Sequence, residues 1–342
     1  MQYTEEYFVG KPERESLSEQ LNNWIAEEQR RAACRREKRF ASRFPREREA
    51  LRREFVEMLG RPLTDSLGPG KPFTQKTFVA ECFGCRIYRV RYEVLPGVEG
   101  YGLWFDPVEK KFDKTPLVVC CHGGSGTPEV VAGFVMDSAN YNHMVERACA
   151  YGVAVFAPQL YMWNQEIYGP EYDRQKTANG LTQLGGGITA LELTLIVRGV
   201  DAVFAGESDL DEERLGIIGL SYGGMYAILA GVCDTRFKSV LSSCWLNDRA
   251  EYNWTDWAYF GQSEKFFDAE TAALIWPRAL FVECGREDPT FTYPGAERAF
   301  EKLTEYYSSA GTAPLKCRFF EGVHELGKDA EGYDFFMEHL LK

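Results

Sequence analysis

The sequence predicts an α/β fold: a mostly parallel, doubly wound sheet with antiparallel opening strands and an N-terminal helical extension. Three observations predict it. The continuous apolar runs Leu117–Cys121 and Val153–Ala157 read as strands covered on both faces. Helix-forming segments alternate with such runs, which implies right-handed parallel crossovers. A third run, Leu215–Ile218, leads through Gly219-Leu220-Ser221-Tyr222-Gly223-Gly224 into the helix-forming Met225–Ala230, so a serine stands at the apex of a strand–turn–helix unit.

Taken in order, the first 15 or so residues are polar and read as irregular. Leu17, Leu21, Trp24 and Ile25 then recur at helical spacing among Arg and Glu, and Leu51, Phe55, Met58 and Leu59 repeat the pattern beyond Pro45. Two amphipathic helices follow from this, with a Gly- and Pro-punctuated linker ending near residue 70. Residues 1–70 are therefore expected to form the helical extension, and 71–342 one catalytic-type domain. That domain opens with the alternating segments Thr77–Glu81, Arg86–Leu95 and Gly100–Phe105, which suit antiparallel strands. Later segments read as helix (Asn140–Tyr151, Ile188–Phe204, Ala296–Ser309, Tyr333–Leu341) and strand (Ser239–Leu246, Ala279–Cys284, Lys316–Phe320). Two stretches, about 159–187 and 247–276, are too long for ordinary connections and are rich in aromatics. The first is expected to lie over the carboxyl edge of the sheet, where such loops shape pockets, and the second is read as an aromatic insertion.

The 342-residue chain carries a formal net charge of −12, which argues against nucleic acid as a general partner, since phosphate binding needs a basic face. No stretch approaches the roughly 18 consecutive apolar residues of a membrane span, and Met1–Glu6 has neither a basic nor an apolar leader region. A cytoplasmic protein with no membrane partner is the expectation. Several of the ten cysteines (Cys120, Cys121, Cys244, Cys284) lie within strand-like runs and are expected to be reduced, buried thiols. Cys82-Phe83-Gly84-Cys85 has C-x-x-C spacing without a second pair or a nearby His, so no metal site is expected there. The arginines at 30, 31, 35, 36 and 39 alternate with Glu27, Glu28 and Glu37 and read as a solvated helix face.

The chemistry centres on Ser221. A serine hydroxyl needs a base, a group orienting that base, and donors for the oxyanion. Among the four histidines, His324 lies just past the last expected strand, at the edge where Ser221 must also stand, and is the candidate base. Asp288, after the preceding strand, is the candidate acid, with Asp248 and Glu287 as rivals. The oxyanion donors are expected to be the N–H of Tyr222 and that of Gly123 or Gly124, in the glycine-rich His122-Gly123-Gly124 after the Leu117–Cys121 strand. Tyr161, Trp163, Trp245, Trp254 and Trp257 are candidate pocket walls. Acyl transfer of this kind requires no cofactor or metal, and none is expected.

These motifs, in the order Gly123–Gly124, Ser221, Asp288, His324, resemble the α/β-hydrolase superfamily over about residues 75–342. Gly219–Gly224 with Asp211–Gly216 is similar to the acetyl xylan esterase and dienelactone hydrolase-like branch, and to prolyl oligopeptidase catalytic domains. The resemblance implies a serine hydrolase that cleaves a small-acyl, carbohydrate or aromatic carboxylic ester. A small serine peptidase, with Glu166, Glu171 or Arg286 as an anchor for a peptide terminus, is the alternative, and a non-catalytic binding scaffold is the second. Ser221 stands where dienelactone hydrolases carry Cys, and about 75 residues precede the domain where prolyl oligopeptidases carry a propeller. Gln159, in Ala157-Pro158-Gln159, replaces the Asp of many relatives, which implies loss of a loop anchor. The N-terminal helices offer a surface for covering the sheet, pairing with a second copy or narrowing the site.

Overall fold

A computed structural model describes residues 10–65, 68–135, 138–162, 172–252 and 254–342. Nine strands form one sheet: β1 (Gln75–Cys82), β2 (Cys85–Leu95), β3 (Val98–Pro107), β4 (Thr115–Cys121), β5 (Ala154–Pro158), β6 (Leu210–Leu220), β7 (Phe237–Ser243), β8 (Ala279–Gly285) and β9 (Leu315–Phe320). Their order is β1-β2-β3-β5-β4-β6-β7-β8-β9. β1, β2 and β3 pair antiparallel, as does β3 with β5, whereas β5-β4-β6-β7-β8-β9 are parallel. The order reverses after β4, so the carboxyl ends of β4 and β6 flank a crevice of the kind in which open parallel sheets place their sites.

The two faces follow from alternation along the strands. Leu117, Val119 and Cys121 of β4 point to one face and Val118 and Cys120 to the other. On the first face lie α1 (Lys11–Arg43), α2 (Arg48–Leu59), α6 (Ile188–Gly206), α7 (Tyr222–Cys233), α9 (Asp268–Ala273) and α10 (Tyr293–Ala310). On the second lie α3 (Pro128–Val131), α4 (Met144–Ala150) and α11 (Glu331–Leu340). α5 (Arg174–Gln183) and α8 (Gln262–Lys265) sit inside the two long connections. No helix of the described residues is long and apolar enough to cross a membrane.

The N-terminal segment is more structured than its polarity suggests. α1 begins at Lys11, inside the stretch expected to be irregular, and runs for 33 residues. Only its second half meets the body: Phe40 and Phe44, with Leu51, Phe55 and Leu59 of α2, join the core cluster of the first face. The arginines expected to be solvated are divided. Arg35 pairs with Glu264, whereas Arg36 is buried and donates to Ser263 O (3.0 Å). The first half of α1 leaves Leu17, Leu21, Trp24 and Ile25 exposed along one stripe. All ten cysteines are free thiols.

Candidate active site

Ser221 closes β6 and starts α7 with φ 60° and ψ −124°. Left-handed backbone at a non-glycine residue persists only where its surroundings over-determine it. Here the Ser221 N–H donates to Ser243 O at the end of β7 (2.9 Å), and Ser221 O accepts from Met225 N (2.9 Å). The glycines on either side are sterically obligatory. A Cβ at Gly219 would stand 2.0 Å from Gly223 O, and one at Gly223 would stand 2.2 Å from Cys121 O. The turn can close against β4 only because both positions lack side chains.

The loops after β8 and β9, at the same edge, bring Asp288 and His324 together. Arg286 N donates to Phe320 O and Glu287 N to Gly322 O, both at 3.0 Å, which fastens the loop after β8 to the loop after β9. Asp288 Oδ2 then lies 2.8 Å from His324 Nδ1, while Oδ1 accepts from Thr290 N (2.8 Å) and Phe291 N (3.0 Å). Burial opposes ionisation of Asp288, but the His324 hydrogen bond and the two backbone donors outweigh it and hold the carboxyl below its usual range. An ionised acceptor at Nδ1 fixes the proton there and leaves Nε2 with its lone pair. The Phe291 ring stacks on the imidazole, with centroids 5.7 Å apart. The rival acids stand elsewhere: Asp248 accepts from Arg298 (3.0 Å), and Glu287 is exposed. Of the other histidines, His143 lies against Glu146, and His339 against Phe335 O.

The glycine-rich loop has a tether that sequence reasoning missed. Gly123 N donates to the Tyr141 hydroxyl (2.8 Å), so of the two candidate glycine amides that of Gly123 is already engaged and Gly124 remains. His122 is fully buried. Its Nδ1–H donates to Gly123 O (2.8 Å) and its Nε2 accepts from Leu160 N (3.0 Å). Burial, opposed by the Gly123 bond, lowers its pKa to about 4, so it is a neutral brace at ordinary pH. Gln159 does not leave the following loop unanchored, because its amide donates to Leu160 O (2.8 Å) and Gly126 O (3.5 Å).

The aromatic residues divide in the same way. Trp245 and Trp257 are 3% and 1% exposed and belong to the core cluster of the first face. Trp254 stacks on Trp257 (centroids 4.4 Å) and keeps 49% of its surface, and Phe260 is exposed. Tyr161 stacks on Tyr172 and bonds Thr177, while Trp163 lies outside the described residues, as do Glu166 and Glu171. Trp257 also contacts Tyr222 (5.2 Å) and Phe291 (5.5 Å), so a run of rings joins the residue after Ser221 to the one stacked on His324. Cys244 and Cys284 with Asp288 place three ligand-type atoms within 4.8 Å of one another. Burial pushes the Cys244 thiol up and Asp288 is committed to three donors, so the trio reads as packing.

Residues 192–340 match the model of the prolyl oligopeptidase family. No curated protein is a significant sequence match to the chain. In three dimensions it is similar to a Bacteroides fragilis protein assigned as an acetyl xylan esterase, with TM-score 0.65 and 17% identity over 84% of this chain and 81% of the other. It is similar to a glucuronoyl esterase from Solibacter usitatus, with TM-score 0.62 and 14% identity over 86% and 92%. Acetyl xylan esterase 1 from Thermoanaerobacterium gives TM-score 0.55 and 15% identity over 86% and 97%. The chain has the α/β-hydrolase fold these proteins share.

Proposed function

We propose that the protein is a serine hydrolase that cleaves carboxylic esters of small acyl groups or of carbohydrate or aromatic moieties through a covalent acyl-enzyme. The observation that carries this reading is the strained Ser221 turn on the sheet edge that also holds the His324–Asp288 pair, whose atoms are 2.8 Å apart. Ser221 Oγ attacks the ester carbonyl and His324 Nε2 takes its proton, then returns that proton to the departing alkoxide. Asp288 holds the imidazole tautomer and stabilises the imidazolium. The N–H groups of Tyr222 and Gly124 receive the oxyanion, aided by the N-terminal dipole of α7. Water, activated by His324, then attacks the acyl-serine and releases the acid. The exposed Trp254 and Phe260 suit stacking by a sugar or aromatic group.

The esterases among the structurally similar proteins support ester bonds over peptide bonds. The family match over 192–340 favours a second reading, a small serine peptidase. Arg286, one of its expected anchors, is paired with Glu321 (3.2 Å) and stacks on Tyr293. A fluorophosphonate probe is expected to label the protein and not Ser221→Ala, and nitrophenyl acetate to turn over where an aminoacyl-nitroanilide does not. Labelling independent of Ser221 would remove the enzyme reading, and turnover of the anilide alone would transfer it to the peptidase.

A further inference from the structure

Behind Tyr222 lies a buried charge cluster drawn from three separate segments. The Arg174 guanidinium, on the first residue of α5, donates from Nη1 to both carboxylate oxygens of Asp256 (2.9 and 2.8 Å). Asp256 Oδ2 also accepts from the Tyr222 hydroxyl (3.2 Å), and Asp256 O accepts from Thr189 Oγ1 (3.1 Å). Arg174 Nε donates to Tyr161 O (2.9 Å), while Tyr161 N donates to Glu192 Oε2 (3.0 Å). Arg174 Nη2 stands 3.5 Å from Glu192 Oε1, and the side chains of Arg174, Asp256 and Glu192 are 10%, 11% and 0% exposed. One guanidinium thus ties the connection after β5, the insertion after β7 and α6 to the residue that follows Ser221.

We propose that Arg174 and Asp256 are positioning residues for the reaction, fixing Tyr222 and so the oxyanion donor on its backbone, and that Glu192 sets an alkaline limit on that hold. The inference rests on the serine-hydrolase reading of Ser221. Its physical basis is charge balance. With Glu192 protonated, the bidentate donation of Arg174 to Asp256 meets no competing charge from Glu192. With Glu192 ionised, Arg174 is shared between two buried carboxylates, and one more negative charge stands near the place where an oxyanion must form. Both effects weaken transition-state binding.

Burial raises Glu192 to about 8 against the opposing charge of Arg174 and the Tyr161 N–H, with Asp256 adding to the rise. Among the described residues, the other titratable groups facing it are Tyr172, Tyr226 and Cys121. Burial raises Tyr172 to about 12 and holds Tyr226 and Cys121 well above their usual values, so all three stay neutral across this window. Burial opposes the charge on Arg174, but the hydrogen bond and charge of Asp256 outweigh it and keep the guanidinium protonated.

The test is ester turnover by the full chain and by Tyr222→Phe, Asp256→Asn and Glu192→Gln between pH 6 and 10, with melting curves alongside. Tyr222→Phe and Asp256→Asn are expected to lower kcat about tenfold with KM within about threefold, the mark of a misplaced donor. The native kcat is expected to fall with a midpoint near pH 8, and Glu192→Gln to lose that limb. A native kcat in both Tyr222→Phe and Asp256→Asn, or an alkaline limb that persists in Glu192→Gln, overturns the proposal. Fluorophosphonate labelling of the native protein separates the two levels of inference. Absence of Ser221 labelling sinks both, whereas normal labelling with variants that match the native profile sinks the positioning cluster alone.

Discussion

Asp288→Asn tests the site most sharply, because its environment dictates which way the new amide must face. Thr290 N–H and Phe291 N–H both donate to Oδ1, at 2.8 and 3.0 Å, so the Asn carbonyl oxygen must occupy that position. The amide nitrogen is then forced into the Oδ2 position, 2.8 Å from His324 Nδ1. Two donors cannot face each other, so the imidazole must move its proton to Nε2, which then cannot accept the proton that the proposed mechanism takes from Ser221. A wrong tautomer in a Ser-His-Asp arrangement lowers kcat by about 10⁴, equivalent to about 5 kcal/mol of barrier. Stability responds on a different pH scale. The Asp288 pKa lies below its unfolded value, so its contribution is present above roughly pH 4 and is lost as pH falls through the folded value. At pH 7 to 8 the variant is expected to melt as a folded protein, to show a burst-free trace with nitrophenyl acetate, and to label slowly with a fluorophosphonate. A variant that is folded and within about tenfold of native kcat would refute the tautomer argument and with it the assignment of Asp288.

Three further outcomes are expected. Tyr141→Phe removes the acceptor of the Gly123 N–H and is expected to reduce kcat about tenfold with little change in KM, whereas an unchanged kcat in an ester assay would show that the loop holds its shape unaided. Gly223→Ala places a methyl 2.2 Å from Cys121 O and is expected to give no soluble folded protein by circular dichroism, since backbone on both sides leaves nothing to yield; a native-like melt would contradict the packing of the turn. Asp268→Asn strands the buried Arg249, which donates from Nε to Asp268 Oδ1 at 2.8 Å, and is expected to cost about 3–5 kcal/mol in urea unfolding, while a loss below about 1 kcal/mol would show that the guanidinium finds another partner.

The strands and the edge at which the site stands were legible because their signals are local. Continuous apolar runs marked β4, β5 and the end of β6, and one histidine fell directly after β9. What escaped was of two kinds. α5 lies inside a stretch read as a loop, since Arg174–Gln183 is polar, has no buried residue and so lacks the apolar periodicity that marks a helix. Tyr141, Asp256, Arg174 and Glu192 escaped because each is an ordinary residue on its own segment. The Asp-Trp pair at 256–257 was visible as part of an aromatic stretch, but nothing local told which ring would be buried and which exposed.

The sequence by itself determined the strand–turn–helix unit at Ser221 and the position of His324 just beyond the last strand. The steric need for glycine at 219 against Gly223 O and the two periodicities of strand and helix are properties of a few neighbouring residues, whereas the need for glycine at 223 arises from β4. Tertiary structure alone decided which acid meets His324, which glycine amide the Tyr141 hydroxyl engages, and that Trp245 and Trp257 are buried. It also decided that a buried carboxyl on α6 shares one guanidinium with Asp256 behind Tyr222. Contacts between segments far apart in the chain, and the desolvation that burial imposes on their charges, arise only once the sheet is assembled.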